Sequence, residues 1–430
     1  MSTSQRVAKI EMPACAAFLA EPHRYKAMWG GRNGVKTWSM ARQLLINGVS
    51  RSIRWLCCRE VMNTIKESVH AVLSDQIKVM GLESFYDVQS TAIYGNRNDT
   101  RFVYAGMRSL INDATALKAY ESFDGAWIEE AQTASKLSLR TLIPTIRKAG
   151  SEIWLSFNPL LETDPIVDFL FKNPPPDLAI VKTSYRDNLW LSDEARKDME
   201  HLRVTNPEEF EHVYEGEFLS QVDGAIFGKE LKAMVAEGRE CKVLYDPNRP
   251  VFTFWDIGDR YTSIWFAQSY PLEYHIIDYV DDEALSLDRY FKILSDKPYV
   301  YAKHALPHDA NAPQLATGKT IEQQAWGIVG RDKVVTLPRM SLRSQINAAR
   351  TILPRCYFDA EHCADGLHGL RHYRWPDNGS SGVEHTEPLH DWASHPGSAF
   401  QYLAIGIKDM QLAPKTAAQT RKPKPLSAWL

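Results

Sequence analysis

Gly30-Gly31-Arg32-Asn33-Gly34-Val35-Lys36-Thr37 is a glycine-rich turn that ends in Lys-Thr. Before it, Tyr25–Trp29 reads as a short strand. After it, Thr37–Ile46 reads as a helix with Trp38, Ala41, Leu44 and Leu45 on one side. Strand, glycine loop, Lys-Thr, helix is the order that phosphate binding requires. Backbone N–H groups, an ammonium and a helix N-terminus then converge on the anion. The pattern G-x-x-x-x-G-K-[ST] is met at Gly30, Lys36 and Thr37, but Val35 stands where the second glycine belongs. A β-branched residue resists the left-handed backbone that glycine permits. Gly34, one position earlier, is expected to supply part of that freedom. Taken alone, the stretch also describes an ordinary Gly-Asn-Gly turn.

Ala126-Trp127-Ile128-Glu129-Glu130-Ala131 supplies the complement. Two acids at the end of a buried strand are costly unless a metal or a partner uses them. In a nucleoside-triphosphate site the first acid holds Mg²⁺ and the second orients or deprotonates the attacking water. The plain alternative is a helix N-terminus enriched in acids; the glycine loop upstream favours the site. Ser156-Phe157-Asn158-Pro159 closes the next strand, where Asn158 can sense a γ-phosphate or merely begin a loop.

The chain has 430 residues, 44% of them hydrophobic, a net charge of −3 and no low-complexity tract. Two domains are expected at that length. The charge excludes a global basic field, so nucleic-acid binding must rest on local patches. Six cysteines (15, 57, 58, 241, 356 and 363) form no disulfide framework and suit a reducing cytosol. Neither a membrane-length apolar run nor a signal segment is present, so a soluble intracellular protein is expected.

Residues 20–190 alternate strand-like segments (52–58, 101–105, 123–128, 152–157, 178–184) with helix-like ones, the rhythm of a largely parallel sheet covered on both faces. Residues 192–214 read as charged helix. A domain boundary is expected within 216–250. Val251–Asp256, Thr262–Gln268 and Glu273–Val280 then predict an antiparallel meander, followed by a strand at 299–306, one at 334–337, and a last helix from about Asp391 to Lys408. Asp256 and Asp309 end strands, Asp259 follows closely, and Asp391 opens the last helix. Strand-end carboxylates gathered from distant positions make a two-metal site for phosphodiester cleavage, although each alone is more often a turn or cap residue. Cys356, His362, Cys363, His368 and His372 match no common zinc spacing, and 360–373 reads as one amphipathic helix.

Together these segments resemble the large terminase subunit of tailed bacteriophages over about residues 20–410. The segments that carry the resemblance are His23–Lys26, Gly30–Thr37, Ala126–Gln132, Leu142–Lys148, Glu152–Pro159, Tyr214–Phe218, Asp256, Asp309 and His390–His395. The resemblance implies an α/β protein in two parts. The first is an N-terminal P-loop NTPase domain (1–215) with a lid-like helical segment. A linker (216–250) leads to an RNase H-like nuclease domain with a mixed sheet (251–410), and a basic tail (411–430) is expected to be disordered. It further implies that Gly30, Gly31, Arg32, Asn33, Gly34, Val35, Lys36, Thr37, Glu129 and Asn158 bind ATP, that Thr37 and Glu129 hold Mg²⁺, and that Glu130 is catalytic. Asp256, Asp309 and Asp391 would hold Mg²⁺ or Mn²⁺ for DNA cleavage. Implied partners are double-stranded DNA, a portal protein, a small terminase subunit and further copies in a ring, a pentamer being expected. The place of action would be the host cytoplasm and, transiently, the portal vertex of the procapsid, not the mature virion. ATP hydrolysis by the isolated chain should be weak, because in the ring a neighbour supplies an arginine.

Two departures from the family pattern stand out: Val35, and Ser398, which replaces an acid that is often a metal ligand. Asp391, two helical turns from Ser398, is expected to compensate, alone or with His395. The rival readings are an RNase H-like nuclease whose P-loop-like domain no longer hydrolyses ATP, and a prophage remnant that binds DNA or portal without either activity.

Overall fold

The computed structural model describes residues 10–61, 66–111, 117–219, 221–258, 261–283, 286–313, 318–376 and 387–411. Asp259 and the expected basic tail beyond 411 lie outside them.

Eight strands form the first sheet: β1 (Tyr25–Gly30), β2 (Arg54–Arg59), β3 (Tyr86–Val88), β4 (Ala92–Gly95), β5 (Arg101–Gly106), β6 (Gly125–Glu129), β7 (Glu152–Phe157) and β8 (Leu178–Thr183). Their order is β3-β4-β5-β2-β6-β7-β1-β8. All pairs from β5 to β8 are parallel. Each inner strand is apolar throughout because both faces are covered. Leu56, Cys58, Ala126 and Ile128 pack on one face beneath Leu139 and Leu142 of the helix Lys136–Thr145. Trp55, Cys57, Trp127 and Trp154 point to the other, against Met40, Leu44 and Leu45 of the helix Lys36–Ser50. Trp38, expected on the buried side of that helix, is instead 39% exposed and lies against Arg42. The sequence reading passed over the hairpin β3–β4, whose strands are three and four residues long. It adds antiparallel strands at the edge beyond β5.

Seven strands form the second sheet: β9 (Glu240–Cys241), β10 (Val251–Ile257), β11 (Tyr261–Ser269), β12 (Tyr274–Glu283), β13 (Tyr301–Leu306), β14 (Val334–Thr336) and β15 (Cys356–Asp359). The order is β14-β13-β10-β11-β12-β15-β9. β10, β11 and β12 are the expected antiparallel meander, with β13 and then β14 added in parallel beside β10. Counted from β10, the five principal strands run 3-2-1-4-5, the RNase H-like arrangement. Phe254 and Trp265 pack on Phe400 and Leu403 of the last helix. Trp255, Ile264 and Phe266 face Phe291 and Leu294 on the opposite side. Residues 216–250, expected as linker, contain the helix Gly228–Ala236, whose Leu231 and Met234 enter this core, and β9, which pairs with β15. Among the described residues, no helix is long and apolar enough to cross a membrane.

Candidate functional site

The two strands that carry the first chemistry, β1 and β6, are separated by β7. Parallel pairing aligns their C-terminal ends, so the glycine loop, Glu129-Glu130 and Ser156–Asn158 open on the same edge, where α/β sheets bind ligands. They meet in a cleft of about 340 Å³ lined by Arg32–Trp38, Glu129, Glu130, Gln132, Ser156–Asn158 and Asn188. Gln132 and Asn188 were not anticipated. No local motif marks them, and only the fold brings them to the edge.

Within the loop, Gly30, Asn33 and Val35 take positive φ, at 128°, 62° and 52°, whereas Gly34 does not. The freedom expected of Gly34 is therefore taken by Val35 itself, which is buried and left-handed. Gly31 is needed for close approach: a Cβ there would stand 2.0 Å from the Tyr214 carbonyl oxygen. The segment around Tyr214 lies on the loop, and the Arg32 N–H donates to the Val213 carbonyl at 2.6 Å.

A left-handed non-glycine residue stores about 1–2 kcal/mol. Val35→Gly and Val35→Ala both remove the buried side chain, but only glycine relieves the backbone. Val35→Gly is therefore expected to be more stable than Val35→Ala by about 1 kcal/mol, measured by urea unfolding. Equal midpoints would show that the backbone at 35 is unstrained.

Lys36 Nζ donates to the carbonyls of Gly30 (3.1 Å) and Gly31 (2.6 Å), which holds the ammonium at the loop. Burial pulls its pKa down to about 8, against the upward pull of Glu129. The Thr37 hydroxyl donates to Glu129 Oε1 at 3.4 Å, so the start of the helix touches the end of β6. Glu129 is buried, and burial raises its pKa while the Arg59 guanidinium opposes the rise. Arg59, the last residue of β2, ion-pairs with Glu129 and reaches Glu130 Oε1 at 2.9 Å. Reading the sequence missed this role, although an arginine that closes an apolar strand is itself a signal. Glu130 is left-handed, at φ 53°, and its side chain is about half exposed in the cleft. The Ser156 hydroxyl is taken by Trp127 Nε1 at 2.9 Å, so Asn158 is the amide of that turn that lines the cleft.

The second set of acids lies on the second sheet. Asp256 sits near the end of β10, and its Oδ2 stands 2.9 Å from His395 Nδ1. Burial raises its pKa; His395 and His390 oppose the rise, and the nearby negative charge of Asp309 adds to it. Asp309 lies in the short helix His308–Asn311 that follows β13. The last helix begins at Ser394, later than expected, so Asp391 precedes it and shares no helix face with Ser398. Pro396 falls in the first turn, where no intrahelical N–H is needed. Asp391 Oδ1 accepts the Ala393 N–H at 2.9 Å, and Oδ2 lies 3.4 Å from Arg374. Ser398 hydrogen-bonds Tyr373. The ligand atoms of Asp256, Asp309 and Asp391 do not all come within 4.8 Å of one another. His390 acts electrostatically on both Asp256 and Asp391.

Cys356 and Cys363 are buried and donate to the carbonyls of Ile352 and Ile276, while His362 pairs with Asp359. These three residues serve packing and turns.

Residues 22–217 match the family model described as phage terminase large subunit. Among solved structures, the chain is similar to the large terminase of a thermophilic bacteriophage. That match has 14% identity, covers 92% of this chain and 97% of that one, and has a TM-score of 0.41. It is similar to the HK97 bacteriophage large terminase at 9% identity, covering 91% and 93%, with a TM-score of 0.38. It also resembles the large terminase nuclease of the thermophilic phage G20c with bound magnesium, at 14% identity, covering 43% and 97%, with a TM-score of 0.31. No curated protein matches the chain.

Proposed function

We propose that this protein, whose residues 22–217 match the family model described as phage terminase large subunit, hydrolyses ATP to drive double-stranded DNA into a procapsid and cuts that DNA with its second domain. The observation that carries the reading is the convergence of Lys36, Thr37, Glu129 and Glu130 on one cleft. A strand loop, an ammonium, a hydroxyl and two carboxylates so placed fit a magnesium–nucleotide complex. The loop amides and Lys36 bind the phosphates, and the Thr37 hydroxyl with Glu129 holds Mg²⁺. The ion, when bound, neutralises charge on the transferred phosphoryl group. Arg59 favours the ionised form of Glu129 and holds Glu130 at the cleft, where its carboxylate accepts the proton of the attacking water. Asn158 faces the same space from β7.

In the second domain Asp256 and Asp309 hold Mg²⁺ or Mn²⁺, with His395 beside Asp256 and Asp391 on the flank. A cation fits there because the negative charge of Asp309 disfavours the ionised form of Asp256, a repulsion that a cation relieves. The same reading places the chain in a ring of copies, with five expected, in the host cytoplasm and at the portal vertex. Its partners there are a portal protein and a small terminase subunit.

Lys36→Ala tests the motor. ATP turnover is expected to fall by about 10²–10³-fold while cleavage of plasmid DNA with Mn²⁺ is kept. A second reading, a nuclease whose nucleotide domain does not hydrolyse ATP, is favoured by the strained Val35 in the loop. Equal, negligible turnover in parent and Lys36→Ala, with cleavage retained, would establish that reading instead.

A further inference from the structure

His368 and His372 lie one turn apart on the helix Ala364–His372, on one face. That face meets Asp164, which belongs to the first half of the chain and precedes the short helix Pro165–Val167. All three are at most 2% exposed. His372 Nε2 stands 2.9 Å from Asp164 Oδ1, and His368 Nδ1 stands 3.4 Å from the same oxygen. Asp164 Oδ2 is occupied by the Leu161 N–H at 3.0 Å. Nε2 of His368 has no hydrogen-bond partner, and Nδ1 has none beyond its long contact with Asp164. The Trp392 ring stacks on His368 at 4.8 Å and walls off the site. Among the described residues, no other group of three such side chains brings its ligand atoms within 4.8 Å of one another.

We propose that Asp164, His368 and His372 bind a late first-row divalent cation, Zn²⁺ foremost, that ties the first half of the chain to the second. The donor set is two imidazole nitrogens and one carboxylate oxygen, which suits zinc and its neighbours better than magnesium. With ligand bonds near 2.0–2.2 Å, a tetrahedral site has donor–donor edges of about 3.3–3.5 Å; the 3.4 Å separation of His368 Nδ1 from Asp164 fits that edge. A proton between His372 and Asp164 accounts for that pair alone. It leaves His368 buried with Nε2 unsatisfied and Nδ1 only in a long 3.4 Å contact with Asp164, at the cost of desolvating a polar group. A cation uses the nitrogen that is aimed at the carboxylate.

The location gives the ion a structural role. At the other end of the same helix, Asp365 accepts the Lys136 N–H at 2.7 Å and so caps a helix of the first sheet. Arg108 nearby bridges Glu60 and Asp281, at 3.0 Å each, across the two sheets. The cation fixes the second end of the helix, and its removal should loosen the junction without touching the nucleotide cleft.

The test is retention of metal by the full chain. Protein stripped with a chelator, reloaded with Zn²⁺ and dialysed against millimolar Mg²⁺, which fills oxygen-only sites, is expected to keep one equivalent of zinc. X-ray absorption at the zinc edge should report two imidazole ligands. Reloading should also raise the unfolding midpoint by several degrees through ligand linkage. His372→Gln and Asp164→Asn should each lose the retained zinc, with far-UV circular dichroism checking that they fold. Loss of all zinc from the parent, or a zinc edge without two imidazoles, overturns the proposal. Neither of these measurements depends on a variant.

Discussion

Glu130→Gln is expected to lower the turnover number for ATP by about 10²–10⁴-fold, the usual share of a general base, with nucleotide affinity changed by less than threefold. The amide keeps the shape and the contact with Arg59 but cannot take a proton. The effect is expected to be confined to turnover because Glu130 follows β6, is half exposed, and touches Arg59 rather than the glycine loop. Glu129, by contrast, is buried and contacts Thr37, so changing it disturbs binding as well. Steady-state hydrolysis and titration with a fluorescent nucleotide separate the two quantities. A loss of less than tenfold would show that another group activates the water.

Asp256→Asn is expected to reduce the rate of plasmid cleavage by about 10³-fold or more, since a catalytic metal stabilises the transition state by several kcal/mol. ATP turnover should stay within twofold of the parent. The carboxylate is partly buried near the end of β10, beside His395 and within the influence of the charge of Asp309. Because burial raises its pKa, protonation would compete with metal binding at Asp256, so cleavage should increase as pH rises through the acidic range. Conversion of supercoiled to nicked and linear plasmid, followed from pH 5 to 8 with Mn²⁺, reads both effects. Cleavage by Asp256→Asn at the parent's rate would remove Asp256 from the nuclease site.

Both predictions rest on residues that the sequence already singles out, for a physical reason. The proposed phosphate site is local: Gly30–Thr37 supplies amides, ammonium and helix start within eight consecutive residues. An acid pair after a buried strand is equally local, and unbroken apolar runs mark β6 and β7 for a covered parallel sheet. Short edge strands such as β3, β4 and β9 escaped because two to four residues carry too little periodicity to register.

The sequence by itself thus determined the two α/β units, the glycine loop, the two glutamates and the meander that bears Asp256. Tertiary structure decided which distant charges meet. It brought Arg59 across from β2 to Glu129 and Glu130, turned Asp391 toward Arg374, put the strain of the loop on Val35 rather than Gly34, and set Asp164 against His368 and, across 208 positions of chain, against His372. Local motifs are written in adjacent residues because backbone geometry is local. Contacts between buried polar groups depend on where two separate cores dock, and no window of sequence contains both sides of that junction.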